Sequence, residues 1–307
     1  MGENTKKSMA GVIPCIVLKT SHHLTMKKYI VYIACCLVAS SISAQINMPA
    51  ASPKFELKGT VGLAEVKVVY SRPSAKGRKV VGNLIRNGEV WRTGANASTK
   101  ISFSETVKIN GNDLAAGEYA LYTIFTEETA TIIFNRNLKL WGAAGYNKSE
   151  DALRIEVPVK HPSSHYETFT ISFSDFTRNS ANFNMKWEHT KAMFKIEADV
   201  DSRVMADIKA QVIDADPTNM GVYYQAASYY LDTDRNPKLA LKWITKGIKG
   251  SEKEQYWMYH LQAKLFAKVG KKKQASAAAV KSIELAKTAQ NPDYVRLNEQ
   301  LIASLKK

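Results

Sequence analysis

The chain has 307 residues, 45% of them hydrophobic and 23% charged, with a formal net charge of +15. That balance belongs to a folded protein long enough for two domains, and it excludes a disordered or fibrous chain. The positive excess favours anionic surfaces or ligands, but no nucleic-acid recognition motif accompanies it, so nucleic acid is not an expected partner.

The first pattern in the chain is "MKKYIVYIACCLVASSISAQ", beginning at Met26. Two lysines, an apolar run over residues 29–39 and small residues ending at Ala44 make the three-part form of a secretory signal. We read the start at Met26 and the cut after Ala44, so residues 1–44 are an N-terminal extension and signal peptide. The run is far shorter than the roughly 20 residues that span a bilayer, so no permanent transmembrane helix is expected. The protein is expected to be exported, periplasmic or secreted. Cys15, Cys35 and Cys36 all precede the cut, which removes thiol nucleophiles, redox pairs and disulfide staples from the mature chain. Residues 1–44 carry five lysines and one glutamate, so their loss lowers the net charge from +15 to +11.

Residues 65–197 alternate apolar and polar side chains and are rich in Val, Ile, Phe, Tyr and Thr, as in "VKVVYS", "EYALYTIFT" and "TFTISFSDF". Alternation puts every second side chain on one face, the mark of half-buried strands. Turn words at 110–113 (NGND), 126–129 (TEET) and 177–181 (TRNSA) separate them. About nine or ten strands without intervening helices predict an antiparallel β-sandwich or barrel over residues 52–198.

After Asp199 the period changes to three and four, predicting helices over 203–307, with Asn236-Pro237 and Gly270 as turns. Ser228, Leu231 and Ala240 stand 35 residues before Ala263, Phe266 and Ala275, close to the tetratricopeptide period of about 34. The expected class is therefore α+β in two domains, a β-sandwich or barrel followed by an all-α, tetratricopeptide-like stack of helical hairpins. Such a stack is a platform for a protein partner, with Tyr224 and Tyr259 as candidate contacts.

Between Lys67 and Arg86 stand six basic residues and no acidic one. Arg72, Lys76 and Arg78 are candidates for gripping an anion, because a guanidinium fork matches carboxylate and phosphate geometry. Gly77 and Gly82 have P-loop spacing, but Asn83 and Leu84 replace the Lys-Ser/Thr that loop needs. The competing reading is a crossover whose arginines pair with carboxylates of neighbouring strands. "VWRTGANAST" adds Trp91, Arg92, Thr93 and Asn96, and "LKLWGAAGYNKSE" adds Trp141 and Tyr146. Flat aromatics beside guanidinium and amide donors suit a sugar ring, while both tryptophans also suit core packing at the two ends of the sandwich. His161 and His165 have helical ligand spacing, yet Pro162 makes the segment a loop, so no metal site is assigned.

The ordered words "YSRPSAKGRK", "GEVWRTGANASTKISFS", "AGEYALYTIF", "IIFNRN", "WGAAGYN" and "ETFTISFSDF" resemble an exported bacterial family of domains of unknown function, number 2911 in that series, over roughly residues 52–197. The resemblance implies export and often a helical repeat tail. It implies no activity, cofactor or catalytic residue. With no catalytic motif in the chain, the reading is a binding or scaffold module for an anionic or sugar-like ligand, set against a hydrolase of an envelope polymer using the same cleft.

Overall fold

In the computed structural model, alternation becomes a strand wherever one face meets the core. β2 (Ala64–Ser71) buries Ala64, Val66, Val68 and Tyr70, and β12 (Thr190–Ala198) buries every second side chain along its length. The structure describes residues 48–215 and 217–306; the leader read at 26–44 and the three cysteines lie outside them.

Among the described residues, twelve strands form one antiparallel sheet. The others are β1 (Lys54–Val61), β3 (Val90–Trp91), β4 (Thr99–Phe103), β5 (Val107–Ile109), β6 (Asn112–Leu114), β7 (Gly117–Phe125), β8 (Thr129–Asn135), β9 (Asp151–Lys160), β10 (Tyr166–Ser174) and β11 (Ser180–Glu188). The main path runs β1-β2-β4-β7-β8-β9-β12-β11-β10, with β3 on β7 and the β5–β6 hairpin on β12. That hairpin turns at Asn110 and Gly111, whose φ values of 47° and 84° are the left-handed pair a two-residue turn requires.

The sheet curls into a nearly closed barrel, and the chain just after β2 draws the ends together. Ser74 bridges Thr168, the Ala75 amide donates to the Glu167 carbonyl at 2.7 Å, and the Phe169 amide donates to the Pro73 carbonyl at 2.9 Å. Closure matters because it removes an exposed strand edge. Inside, Tyr70, Phe103, Phe125, Phe134, Phe169, Phe183, Trp187 and Phe194 fill the interior.

Six helices follow: α1 (Val200–Ile208), α2 (Gly221–Asp232), α3 (Pro237–Gly250), α4 (Tyr256–Lys268), α5 (Lys272–Thr288) and α6 (Pro292–Leu305). Asn236 caps α3 by accepting from the Lys238 and Leu239 amides, with Pro237 in the first turn. Ala240 and Ala275 are wholly buried at the starts of α3 and α5, where only a small side chain lets neighbouring helices come close. None of the helices among the described residues is long and apolar enough to cross a membrane.

Barrel and helices belong to one unit from Ala51 onward, joined by a charged clamp. Asp201 accepts from the Tyr229 hydroxyl at 2.6 Å and from Arg235 Nη2 at 2.7 Å with both oxygens. The Arg178 and Arg235 guanidiniums each lie 5.5 Å from the Tyr229 ring, and Arg203 pairs with Glu105. The Tyr229 hydroxyl, then Arg235, hold the Asp201 carboxyl below its ordinary value. A depressed carboxylate stabilises the fold above its unfolded value of about 3.9 and loses that contribution as pH falls through the folded one. Asp201→Asn is therefore expected to lower stability in urea melts at pH 7, with a deficit that shrinks as pH falls below about 3.9; a deficit that stays constant would refute the clamp.

Candidate functional site

The predicted basic and aromatic residues separate into three environments. Arg72 is taken up by the barrel seam. Its Nε donates to the Phe169 carbonyl at 3.2 Å, its Nη2 donates to Thr170 Oγ1 at 2.9 Å, and its guanidinium lies 4.9 Å from the Phe55 ring. Backbone and hydroxyl oxygens of β10, rather than a carboxylate, satisfy it. Arg78 turns back on its own loop, donating to the Ala75 carbonyl at 2.8 Å and the Ser74 carbonyl at 3.0 Å. Lys76 sits at φ 51°, its amide held by Glu167 Oε1 at 2.8 Å while its side chain is exposed. Charge-assisted bonds of the Arg72 kind are worth about 2 kcal/mol, so Arg72→Ala is expected to lower unfolding stability by about that much, whereas Lys76→Ala leaves it unchanged. Urea titration of both variants checks this.

Trp91 turns inward. It stacks on Trp187 at 5.7 Å between centroids and meets Phe169 edge-on at 5.0 Å. Thr93 is buried with its hydroxyl donating to Thr123 Oγ1 at 3.2 Å, and its carbonyl accepts from Thr99 Oγ1. At φ 53°, this β-branched residue is in a region it rarely occupies. Gly94 follows at φ 153°, where a Cβ would stand 2.9 Å from the Ser71 carbonyl oxygen. Asn96, at φ 61°, ties the turn to β2 through Ser71 Oγ at 3.3 Å. Backbone strain of this kind persists only where the surroundings over-determine it, and here the Thr93–Thr123, Thr99–Thr93 and Asn96–Ser71 bonds supply that support.

The third environment is the outer face of β4, β7 and β8. Side chains opposite to the core, Ala120, Tyr122 and Ile133, are covered by the 136–150 loop through Leu138, Leu140, Ala143 and Tyr146. The loop is pinned at its far end. The Tyr146 hydroxyl lies 2.6 Å from Asp151 Oδ2, and Arg154 Nη1 donates to both at 2.8 and 2.9 Å. Burial, then the Asp151 carboxylate, push the Tyr146 hydroxyl up to about 12, so it remains a proton donor to that carboxylate. Near the loop's crown the Tyr122 hydroxyl donates to the Gly142 carbonyl at 3.3 Å, and Ser98 Oγ donates to the Leu140 carbonyl at 3.4 Å.

Arg92 reaches this crown at Gly142, next to Trp141 in the chain. The Arg92 guanidinium lies over Gly142, so close that a Cβ there would be 2.7 Å from Nη1. Trp141, the preceding residue, bridges Ala97 through its backbone and leaves its side chain 70% exposed rather than plugging an end of the barrel. Three buried side-chain polar atoms among the described residues lack a partner: Arg92 Nε, Glu105 Oε1 and Asn184 Oδ1. The other oxygen of Glu105 meets Arg203, and the Asn184 amide makes three hydrogen bonds. Arg92 differs, because no hydrogen bond or ion pair to a described residue involves its guanidinium.

Lys100, which sequence reasoning passed over, is the neighbouring half-buried cation. Its Nζ donates to the Ser98 carbonyl at 3.2 Å and to Ser98 Oγ at 2.5 Å. Burial lowers its pKa, with the field of Glu118 opposing. The available signal was its place in "TKISF", where strand alternation puts Lys100 on the face away from the core.

On the helices, Tyr224 lines a cleft of about 570 Å³ with Met220, Trp257 and Met258. Tyr259 is elsewhere, its hydroxyl 2.6 Å from Glu254 Oε1 and pushed up to about 12 by burial and that carboxylate.

Residues 52–196 match the family model described as Protein of unknown function (DUF2911), the family that the sequence words resemble. No curated protein matches the chain, and no solved structure does.

Proposed function

We infer that this DUF2911 barrel is a non-catalytic binding module of the cell envelope, holding an anionic or sugar-like ligand on its outer face at Arg92. The observation that carries the reading is the Arg92 guanidinium itself, half-buried, with Nε shut off from solvent and no protein partner. The Nε–H left without an acceptor costs about 1 to 3 kcal/mol, and a ligand oxyanion would pair with the outer Nη groups, which are not shut off in the same way. Exposed Trp141 next to it supports a ligand with a flat apolar face. The leader-like run from Met26 supports export to the periplasm or beyond. The paired helices, with Tyr224 in an open cleft, support a platform for a protein partner of tetratricopeptide type.

Thermal shift of the purified protein against a panel of acidic glycans, sugar phosphates and neutral glycans tests the ligand reading. Anionic members are expected to raise the melting temperature, as about 2.7 kcal/mol follows from ligand at a hundredfold its Kd. Arg92→Gln is expected to abolish that shift without lowering the stability of the free protein, because it removes an N–H left without an acceptor. A variant that loses several kcal/mol, or that keeps the shift, would overturn it.

A further inference from the structure

The two ends of the sheet path are finished differently. At β10 the edge is covered: the Glu167 carbonyl and the Phe169 amide bond to Ala75 and Pro73, and the Ile171 amide donates to the Tyr70 hydroxyl at 3.1 Å. At the other end β1 pairs with β2 alone, along all of Lys54–Val61. The Arg72 amide donates to the Pro53 carbonyl at 3.0 Å, which sets the alternation along that pair. Phe55, Leu57, Gly59 and Val61 exchange hydrogen bonds with β2, and Lys54, Glu56, Lys58 and Thr60 turn their N–H and C=O groups outward. No hydrogen bond joins those outward backbone groups to a described residue. All four residues are exposed, as are Phe55 and Gly59.

An open edge of this length is a template for another strand, and β1 is complementary to itself. Only registers that oppose the outward residues can form hydrogen bonds. Laid antiparallel on a second copy about Leu57, β1 sets Glu56 opposite the partner's Lys58, and Lys58 opposite the partner's Glu56. Phe55 falls opposite the partner's Gly59, a position where a Cβ would meet nothing within 4 Å, so a ring has room to cover the glycine. Leu57 meets the partner's Leu57 in a non-hydrogen-bonded pair, where side chains come closest. The neighbouring registers fail on charge. Centring on Glu56 opposes that carboxylate to its own copy and Lys54 to Lys58, and centring on Lys58 opposes that lysine to its own copy; like charges directly opposite are unfavourable.

Charges already on the sheet extend the match. Glu56 pairs with Lys67 and Lys58 with Glu65, each at 3.0 Å. Across the join the row therefore alternates in sign over four strands, through Lys67, Glu56, the partner's Lys58 and the partner's Glu65.

We propose that β1 is a homodimerisation edge: two copies of the chain join β1 to β1, antiparallel and centred on Leu57, into one continuous sheet.

Sedimentation equilibrium of the purified protein from about 1 to 300 µM tests this, because a strand pair this short makes a small interface, with an expected Kd on the order of 10 to 100 µM. Glu56→Lys and Lys58→Glu each turn both opposite-charge pairs into like-charge pairs, and each is expected to weaken association more than tenfold. Both side chains are largely exposed, so the variants are expected to keep the parent's melting temperature. Mixed in equal amounts, the two variants are expected to associate about as tightly as the parent, since each supplies the charge that the other lacks at both positions. A parent that stays monomeric throughout, variants that associate like the parent, or a mixture no tighter than either variant alone would each overturn the proposal.

Discussion

Trp91→Ala is expected to cost about 3 kcal/mol of unfolding stability, the lower end of the range for large aromatics removed from a core. Trp141→Ala is expected to cost less than about 0.5 kcal/mol, as for a surface change away from packing or a cap. Trp91 contacts Trp187, Phe169 and Phe125 at centroid distances of 5.0 to 6.1 Å, so its loss opens a void among rings that are themselves fixed. The lower end applies because Trp91 is partly rather than fully buried. Trp141 has no ring neighbour of this kind and most of its surface is already in water. Paired urea titrations measure the contrast. Similar losses for both would mean that Trp141 has a packing role and would remove the apolar wall from the ligand reading.

The two tryptophans also show what local pattern can resolve. Alternation locates a strand and its two faces, which is why β2, β4, β7 and β8 were legible from residue order alone, as the turn at Asn110-Gly111 was from its residue types. It cannot resolve β3, of two residues, or β5 and β6, of three each, because a period needs more than one repeat to appear. β1 escaped for another reason: it lies at the end of the sheet path with nearly all its side chains exposed, so no apolar face marks it. Arg72 illustrates the larger limit. Its partners on β10 lie 97 and 98 residues away, and nothing near Arg72 in the chain indicates that it will find a strand carbonyl instead of a carboxylate or a ligand.

The same limit applied to the candidate site. Arg92, Trp141 and Tyr146 were chosen together for their chemistry, but the fold gives Tyr146 an anchoring task, with Asp151 and Arg154, and leaves Arg92 and Trp141 at the crown. Lys100 was passed over although the alternation of TKISF marks its face, because a lysine in a strand ordinarily points to solvent. Long-range pairing thus decided which polar residues were consumed by structure and which, like Arg92 Nε, were left without a protein partner.

In the helical region, Asn298→Ala is expected to cost about 3 kcal/mol, since it strands one buried and one half-buried partner at about 1 to 3 kcal/mol each. Asn298 is wholly buried in α6. Its Oδ1 accepts from His260 Nδ1 of α4 at 2.9 Å, and its Nδ2 donates to Ser282 Oγ of α5 at 2.9 Å and to the Tyr294 carbonyl at 2.6 Å. Ser282, also wholly buried, passes its own proton to the Tyr256 carbonyl at 2.7 Å. One amide therefore fixes the register of three helices, and a leucine of similar volume would leave the same partners unpaired. Burial lowers the His260 pKa, with the Asn298 bond opposing, so the folded protein takes up a proton here less readily than the unfolded chain. Unfolded histidine takes up its proton near pH 6.5. Stability should therefore fall as pH drops below about 6.5 toward the lowered folded value, because the unfolded chain binds the proton first. Urea titrations of parent, Asn298→Ala and His260→Ala across that window measure both effects. A loss under about 1 kcal/mol for Asn298→Ala would show that water replaces the amide, and a slope that survives in His260→Ala would assign the pH dependence to another group.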